Sequence, residues 1–290
     1  MARIVLVTGL LTHDSGKTWF LVELAKFLKS RGLRVAVYKP VAGHSAWHQF
    51  DTVVRSMEMG VLIGSDVASY IDELGMERDL VDLVNPVDLL LAPPDPYPFI
   101  ARNMLREYVE FLESQVGQIV LARFSRCLHR SRKHLVVEQN LERTSPTLRN
   151  VLRSLVRKLD AEPVDIDEVL KLLRSSEIAR ELEICLDIHA SRSDVVLVES
   201  FNDAVTPSYN LLRRADRLVL VMPSAIAVYS DVDRIAKILE LEARVRGDEA
   251  ARTSRILKNI VPDAIVYVEP RASRGSMGKE VEAVANLMLR

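Results

Sequence analysis

Cysteine is nearly missing from this chain of 290 residues: Cys127 and Cys185 are the only two, too few for a disulfide framework or a cysteine-based structural zinc site. Charge of one sign is missing too. With 39 Lys and Arg against 40 Asp and Glu, the formal net charge is -1, so the total charge names no nucleic-acid or membrane partner. No apolar run approaches the roughly 18 to 20 residues that span a bilayer. The opening Met-Ala-Arg-Ile-Val leads straight into a strand pattern without a signal-peptide layout, and a cytoplasmic protein is expected. What is present is 48% hydrophobic and 27% charged, which excludes disordered and collagen-like chains and leaves an ordinary globular protein able to bury a core.

The first forty residues are the most informative. A short β-branched and apolar run over 4–8 predicts a strand, and the turn-rich stretch 9–16 leads into Gly16-Lys17-Thr18. A helix is expected over 16–30, because Phe20, Leu21, Leu24, Ala25 and Leu28 recur at helical spacing and Arg31-Gly32 supplies a stop. A second strand over 33–38 closes with Lys39-Pro40. Strand, helix and strand within this length predict a crossover unit with parallel strands. In that setting the amides of a loop feeding a helix N-terminus converge on a concavity that attracts phosphate oxygens. The candidate phosphate-binding residues are Gly9, Thr12, His13, Asp14, Ser15, Gly16, Lys17 and Thr18. Gly16 allows close backbone approach, Lys17 reaches the β and γ phosphates, and the Thr18 hydroxyl is placed to hold magnesium. Six residues separate Gly9 from Gly16, where the usual pattern has four, so the loop is a variant.

Val7-Thr8-Gly9, Gly16-Lys17-Thr18 and Tyr38-Lys39-Pro40-Val41-Ala42-Gly43 together resemble the dethiobiotin synthetase group of P-loop ATPases, which belongs with the cobyric acid synthase and CTP synthase amidoligase-type ATPases. The lengthened glycine spacing is closer to the CTP synthase loop. The resemblance implies ATP and Mg2+ as cofactors and a catalytic role for Lys39 in neutralising the transferred phosphate or a carbamate-like carboxylate. It also implies two magnesium-binding carboxylates, one after the Lys-Pro segment and one ending the third core strand. Asp51 and Glu199 stand at those places. Glu199 ends the apolar run 194–199, where a central strand leaves no water for a charge, so its carboxylate is expected to face a metal or the loop. Asp51 reads equally as a magnesium ligand or as a solvated acid capping a helix over 52–59. His44 to Phe50 reads either as a substrate-contacting segment or as a packed Trp47 between surface histidines.

Further along, the proline-rich stretch 85–98 reads as a rigid extended loop. Residues 58–113 hold twelve acids against three Arg, whereas 123–158 hold eight Arg and two Lys against Glu138 and Glu142. Such blocks read as mutually neutralising faces rather than as a nucleic-acid surface, given the 6% aromatic content. His134 to Glu138 mimics a strand ending in an acid, but the flanking arginine and leucine spacing points to helix. A helix over 176–189 precedes the Glu199 strand. After it come a strand over 217–222, the loop residues Pro223 and Ser224, a helix over 231–246, a strand over 264–268, and a closing helix over 278–290. The further strand and base-contacting loop that the resemblance implies for this half are not legible, which leaves Pro223, Ser224, Pro270 and Arg271 as candidates by position. The loop 271–279 reads as a flexible connector or a phosphate-side loop.

The expected architecture is therefore α/β: one P-loop NTPase domain over 1–290, three-layered with a mainly parallel sheet and a helical insertion over about 52–190. The expected activity is that of a magnesium-dependent ATPase or cyclo-ligase type ATP-dependent ligase, activating a carboxylate or carbamate of a small-molecule acceptor, with Lys17, Lys39 and Glu199 catalytic and Thr18, Asp51 and Glu199 at the metal. A homodimer is the expected assembly. The alternative is a nucleotide switch or assembly ATPase that acts on a protein or nucleic acid.

Overall fold

The computed structural model describes residues 2–11, 15–246, 251–270 and 277–289. Thr12, His13, Asp14 and the segment 271–276, including Arg271, lie outside the described residues. In chain order the elements begin with β1 (Arg3–Gly9), α1 (Lys17–Ser30), β2 (Val35–Tyr38), β3 (Val41–Ser45), α2 (Phe50–Met59), α3 (Ser65–Leu74), α4 (Val81–Val84) and β4 (Val87–Leu91). There follow α5 (Tyr97–Ala101), α6 (Leu105–Glu113), β5 (Ile119–Arg126), β6 (Ser131–Val136), α7 (Glu138–Arg143), α8 (Pro146–Leu159), β7 (Glu162–Pro163), α9 (Ile166–Leu173) and α10 (Ser176–Arg192). The last third holds β8 (Val195–Glu199), α11 (Tyr209–Arg213), β9 (Arg217–Met222), β10 (Ala225–Tyr229), α12 (Val232–Arg246), α13 (Thr253–Ile256), β11 (Ala264–Tyr267) and α14 (Gly278–Leu289). The protein is α/β, with two mixed sheets and fourteen α-helices among the described residues. Among those residues no helix is long and apolar enough to cross a membrane.

The chain divides into two compact units, one formed by Met1–Pro40, Ser69–Arg78 and Leu182–Arg290, the other by Val41–Ala68 and Asp79–Glu181. The first contains a six-stranded sheet in the order β11-β10-β9-β1-β8-β2. Strands β9, β1, β8 and β2 are parallel, and β10 and β11 are antiparallel additions at one edge. Val5, Leu6 and Val7 of β1 and Val196 to Val198 of β8 are almost wholly enclosed, the near-continuous apolar character of strands covered on both faces. Helix α1 buries Phe20, Leu21, Leu24, Ala25 and Leu28, the spacing that predicted it. Because β8 lies between β1 and β2, the carboxyl ends of three parallel strands come side by side, with Val7 opposite Glu199 and Tyr38 opposite Val198.

The second unit departs from the expected helical insertion. It carries a five-stranded sheet, β3-β4-β5-β6-β7, in which β4, β5 and β6 are antiparallel neighbours. The prolines that suggested a continuous loop flank β4 rather than interrupt it, since Pro86 precedes the strand and Pro93 follows it. The rejected strand at His134 is real: β6 pairs Leu121 with Val136 and Arg123 with His134. Its exposed first half, Ser131-Arg132-Lys133, hid the alternation on which strand recognition rests. Leu90, Leu121 and Val136 join Leu148, Leu152 and Leu155 of α8 in one core.

Candidate functional site

The first unit concentrates most of the sequence-nominated side chains at the carboxyl ends of β1, β8 and β2. β1 ends at Gly9, and there the close approach is physical: a Cβ on Gly9 would stand 2.2 Å from Ser15 Oγ and 2.9 Å from Lys17 Nζ. Gly16 caps α1 with φ 82°, a left-handed conformation that glycine adopts at no steric cost. Lys17 opens the helix. It is buried, and its ammonium donates to the Asn202 carbonyl oxygen at 2.7 Å and to Ser15 Oγ at 3.1 Å. The chain after β8 is shaped to meet it, with Asn202 at φ 46° and Ser200 Oγ donating to the Ala204 carbonyl at 2.5 Å.

Glu199 is the centre of the constellation and is 0% exposed. Its Oε1 accepts from Thr18 Oγ1 at 2.9 Å and from Lys39 Nζ at 2.8 Å, while its Oε2 accepts from the Tyr70 hydroxyl. Lys39 donates as well to the Ser200 carbonyl at 3.1 Å. A carboxylate in such a place is tolerable because a cation and two hydroxyls offset its desolvation. The structure thus brings Thr18, Lys39 and Glu199 into direct contact and sets Lys17 on the same segment as Thr18. Tyr70, on α3, was missed by sequence reasoning. An aromatic on the apolar side of a helix looks like any core residue, and its hydroxyl announces nothing until a buried acceptor is known.

Asp51 belongs to the second unit, where it is exposed in the first turn of α2. His44 in that unit is buried and places Nδ1 2.7 Å from Thr52 Oγ1, whereas Trp47 is 62% exposed and His48 is exposed. The packed-tryptophan arrangement is therefore not the one found: one histidine is internal, and the tryptophan is outside. His44 shares its surroundings with a buried polar layer made by the register pairs Asp88–Arg123 and Arg123–His134. Arg123 donates to the Leu62 carbonyl and Asn85 at 2.9 and 2.8 Å, and to Ser125 at 2.8 Å. Burial pushes the Asp88 carboxyl up and the His44 imidazole down, and the pair stands 3.6 Å apart.

Beside the start of α1 lies a cavity of about 510 Å³. Gly16, Trp19 and Phe20 form one side, and Met222, Pro223 and Ser224 between β9 and β10 form another, with Val268, Glu269 and Pro270 beyond β11. Three residues nominated by position, Pro223, Ser224 and Pro270, therefore line one hollow. The two-residue link is a hairpin rather than a strand-end loop, because Ala225 to Tyr229 turns back antiparallel on β9 and supplies a strand that the sequence did not reveal. Ser224 takes φ 68° to make that turn.

Comparison with protein-family models, curated proteins and solved structures finds no match for this chain.

Proposed function

We propose that the protein is a magnesium-dependent P-loop ATPase, resembling dethiobiotin synthetase, that phosphorylates a carboxylate or carbamate of a small-molecule acceptor, and that it works as a homodimer in the cytoplasm. The observation that carries the reading is the convergence of Thr18 and Lys39 on Glu199 at the ends of adjacent parallel strands, one residue along from the helix-opening Lys17. Phosphate fits this donor set: the Gly9 cradle would be filled by any Cβ, and the N-terminal amides of α1 add their partial positive charge. Thr18 and Glu199 offer the oxygen ligands that Mg2+ takes. When bound, the ion neutralises phosphate charge and orients the terminal phosphate.

The chain's own residues account for the remaining work. Lys17 holds the phosphate tail by charge-assisted hydrogen bonds, exchanging its contacts with Asn202 and Ser15 for phosphate oxygens. Lys39 neutralises the charge that moves between nucleotide and acceptor, and Glu199 keeps that ammonium and the Thr18 hydroxyl oriented. The cavity flanked by Trp19 and Pro223 is large enough to admit a purine. The Lys17→Ala variant tests the whole: its affinity for MgATP by titration calorimetry should fall by about tenfold or more, the worth of one or two charged hydrogen bonds. Unchanged affinity and hydrolysis in a variant with native circular dichroism would remove the proposal. Acceptor-dependent release of ADP with a new covalent product separates a ligase from a nucleotide switch.

A further inference from the structure

The proposed function gives work to Lys17, Thr18, Lys39 and Glu199 and leaves Tyr70 idle. Yet the Tyr70 ring is wholly buried, and its hydroxyl donates to Glu199 Oε2, the second oxygen of the most enclosed charge in the site. Tyr38 is buried to the same extent but donates to the Leu182 backbone carbonyl at 2.8 Å, the ordinary way to satisfy a core phenol. Tyr70 meets a carboxylate instead. Its helix, α3, ends alongside the helix that begins with Lys17 and Thr18: Lys26 of α1 meets Glu73 at 2.9 Å, and Lys29 Nζ donates to the Leu74 carbonyl at 3.4 Å. Exposed contacts of this kind add little energy, but they show that the phenol and the Thr18 hydroxyl are presented to Glu199 by two helices in direct contact.

The division of partners between the two carboxylate oxygens gives the contact its meaning. Thr18 Oγ1 and Lys39 Nζ both donate to Oε1, at 2.9 and 2.8 Å, and Tyr70 takes Oε2. An ammonium attracts both oxygens of a carboxylate, so a Glu199 not held elsewhere would turn its second oxygen toward Lys39 and draw Oε1 away from Thr18. Bulk water does not reach this residue to hold that oxygen. The Tyr70 hydroxyl is the donor that does, and a ring locked by packing gives it one direction. Its bond therefore fixes the plane of the carboxylate, and with it the oxygen that Thr18 and Lys39 share. Hydrogen bonds of this sort to a metal-binding carboxylate set its orientation before the ion arrives.

We infer that Tyr70 is a positioning residue for the magnesium side of the site, holding Glu199 Oε2 so that Oε1 stays beside Thr18. The inference rests on the magnesium-nucleotide reading of the proposed function and assigns part of its metal dependence to a residue that acts through Glu199. Titration calorimetry of the full chain with ATP, once in EDTA and once with excess Mg2+, tests it. Metal-free binding draws on Lys17 and the loop amides, whereas the gain from Mg2+ draws on Thr18 and Glu199, so the two affinities separate the roles. Tyr70→Phe keeps the ring and removes the hydroxyl. It should leave the affinity in EDTA within about twofold of the wild type and reduce the gain from Mg2+ by about tenfold or more, the cost of losing a group that orients a metal-binding carboxylate. Equal losses with and without Mg2+ would make Tyr70 a core residue and overturn the inference, as would an undiminished gain. A Tyr70→Phe chain that does not fold overturns it too, since the hydroxyl would then serve the fold rather than the site. A wild type that binds no ATP, or binds it equally with and without Mg2+, overturns the proposed function together with this inference. A magnesium gain that survives Tyr70→Phe keeps the proposed function and removes only the role of Tyr70.

Discussion

Lys39 and Glu199 lie 2.8 Å apart with side chains only 4 and 1% exposed, so neither charge is solvated by water to any useful extent. In such a setting, removing one partner strands the other, at a cost of about 3 to 5 kcal/mol. Lys39→Met should therefore lower the unfolding free energy obtained from urea titration by that amount even though methionine fills much of the same volume, and a change below about 0.5 kcal/mol would show the pair to be energetically idle. His134 is the second residue with a calculable consequence. Burial, with Arg123 and Arg132 close by, pulls its imidazole down from 6.5 to about 4, and Nε2 accepts the Leu62 amide at 3.3 Å. The native state keeps this ring neutral where the unfolded chain would protonate it. Its contribution to stability is thus fully present above pH 6.5 and is lost as the pH falls toward about 4, by about 3 kcal/mol in all. His134→Gln should flatten the dependence of stability on pH between those limits. Parallel curves for the variant and the wild type would contradict it.

Among the elements, those that were legible share a physical cause. β1 and β8 are covered on both faces and read as unbroken apolar runs, and α1 shows one enclosed stripe. Glu199 stood out because a carboxylate at the end of such a run has few tolerable environments. β6 and β10 were obscured for different reasons. The first three residues of β6 are exposed and charged, so only half of it carries an inward pattern. β10 follows β9 after just Pro223 and Ser224, and turn chemistry without Asn-Gly gave no hairpin signal. Tyr70 could not be foreseen, since α3 lies far along the chain from the strand it serves. The turn from β1 to α1 was the most legible feature, and it supports a sharp prediction. Gly9→Ala would drive a Cβ into Ser15 Oγ and the Lys17 ammonium, displacing both. Because the added methyl meets only side-chain atoms, MgATP affinity should fall by about tenfold or more while the fold persists. A loss of stability with retained affinity would mean that the loop, not the lysine, gives way.

At the scale of the whole molecule, opposite charge is segregated along the chain, yet several of these charges meet in space. Within the second unit Arg132 meets Asp82 at 2.7 Å, Arg130 meets Asp79 at 3.7 Å, and Lys133 meets Glu162 at 3.1 Å. Arg126 pairs with Glu177, and Glu142 takes both Arg149 and Arg153. Two of these carboxylates, Asp79 and Asp82, come from the acidic block, whereas Glu142, Glu162 and Glu177 lie outside it, so the two blocks neutralise each other only in part. Pairing of this kind matters more for recognition than for stability, because exposed ion pairs contribute only about 0 to 1 kcal/mol each. A phosphate backbone would have to displace each carboxylate before gaining its arginine, and the counterion release that drives nucleic-acid binding would be offset by those lost pairs. With Arg126, Arg130, Arg132, Arg149 and Arg153 each paired to a carboxylate, fluorescence anisotropy at about 0.15 M salt should detect no binding of a short RNA or DNA duplex beyond the weak, non-specific range of about 10⁻⁴ to 10⁻⁶ M. Nanomolar affinity falling steeply with added salt would instead mean that the arginines of β6 and α8 release their carboxylates to bind phosphate, and it would move the nucleic-acid switch ahead of the small-molecule ligase.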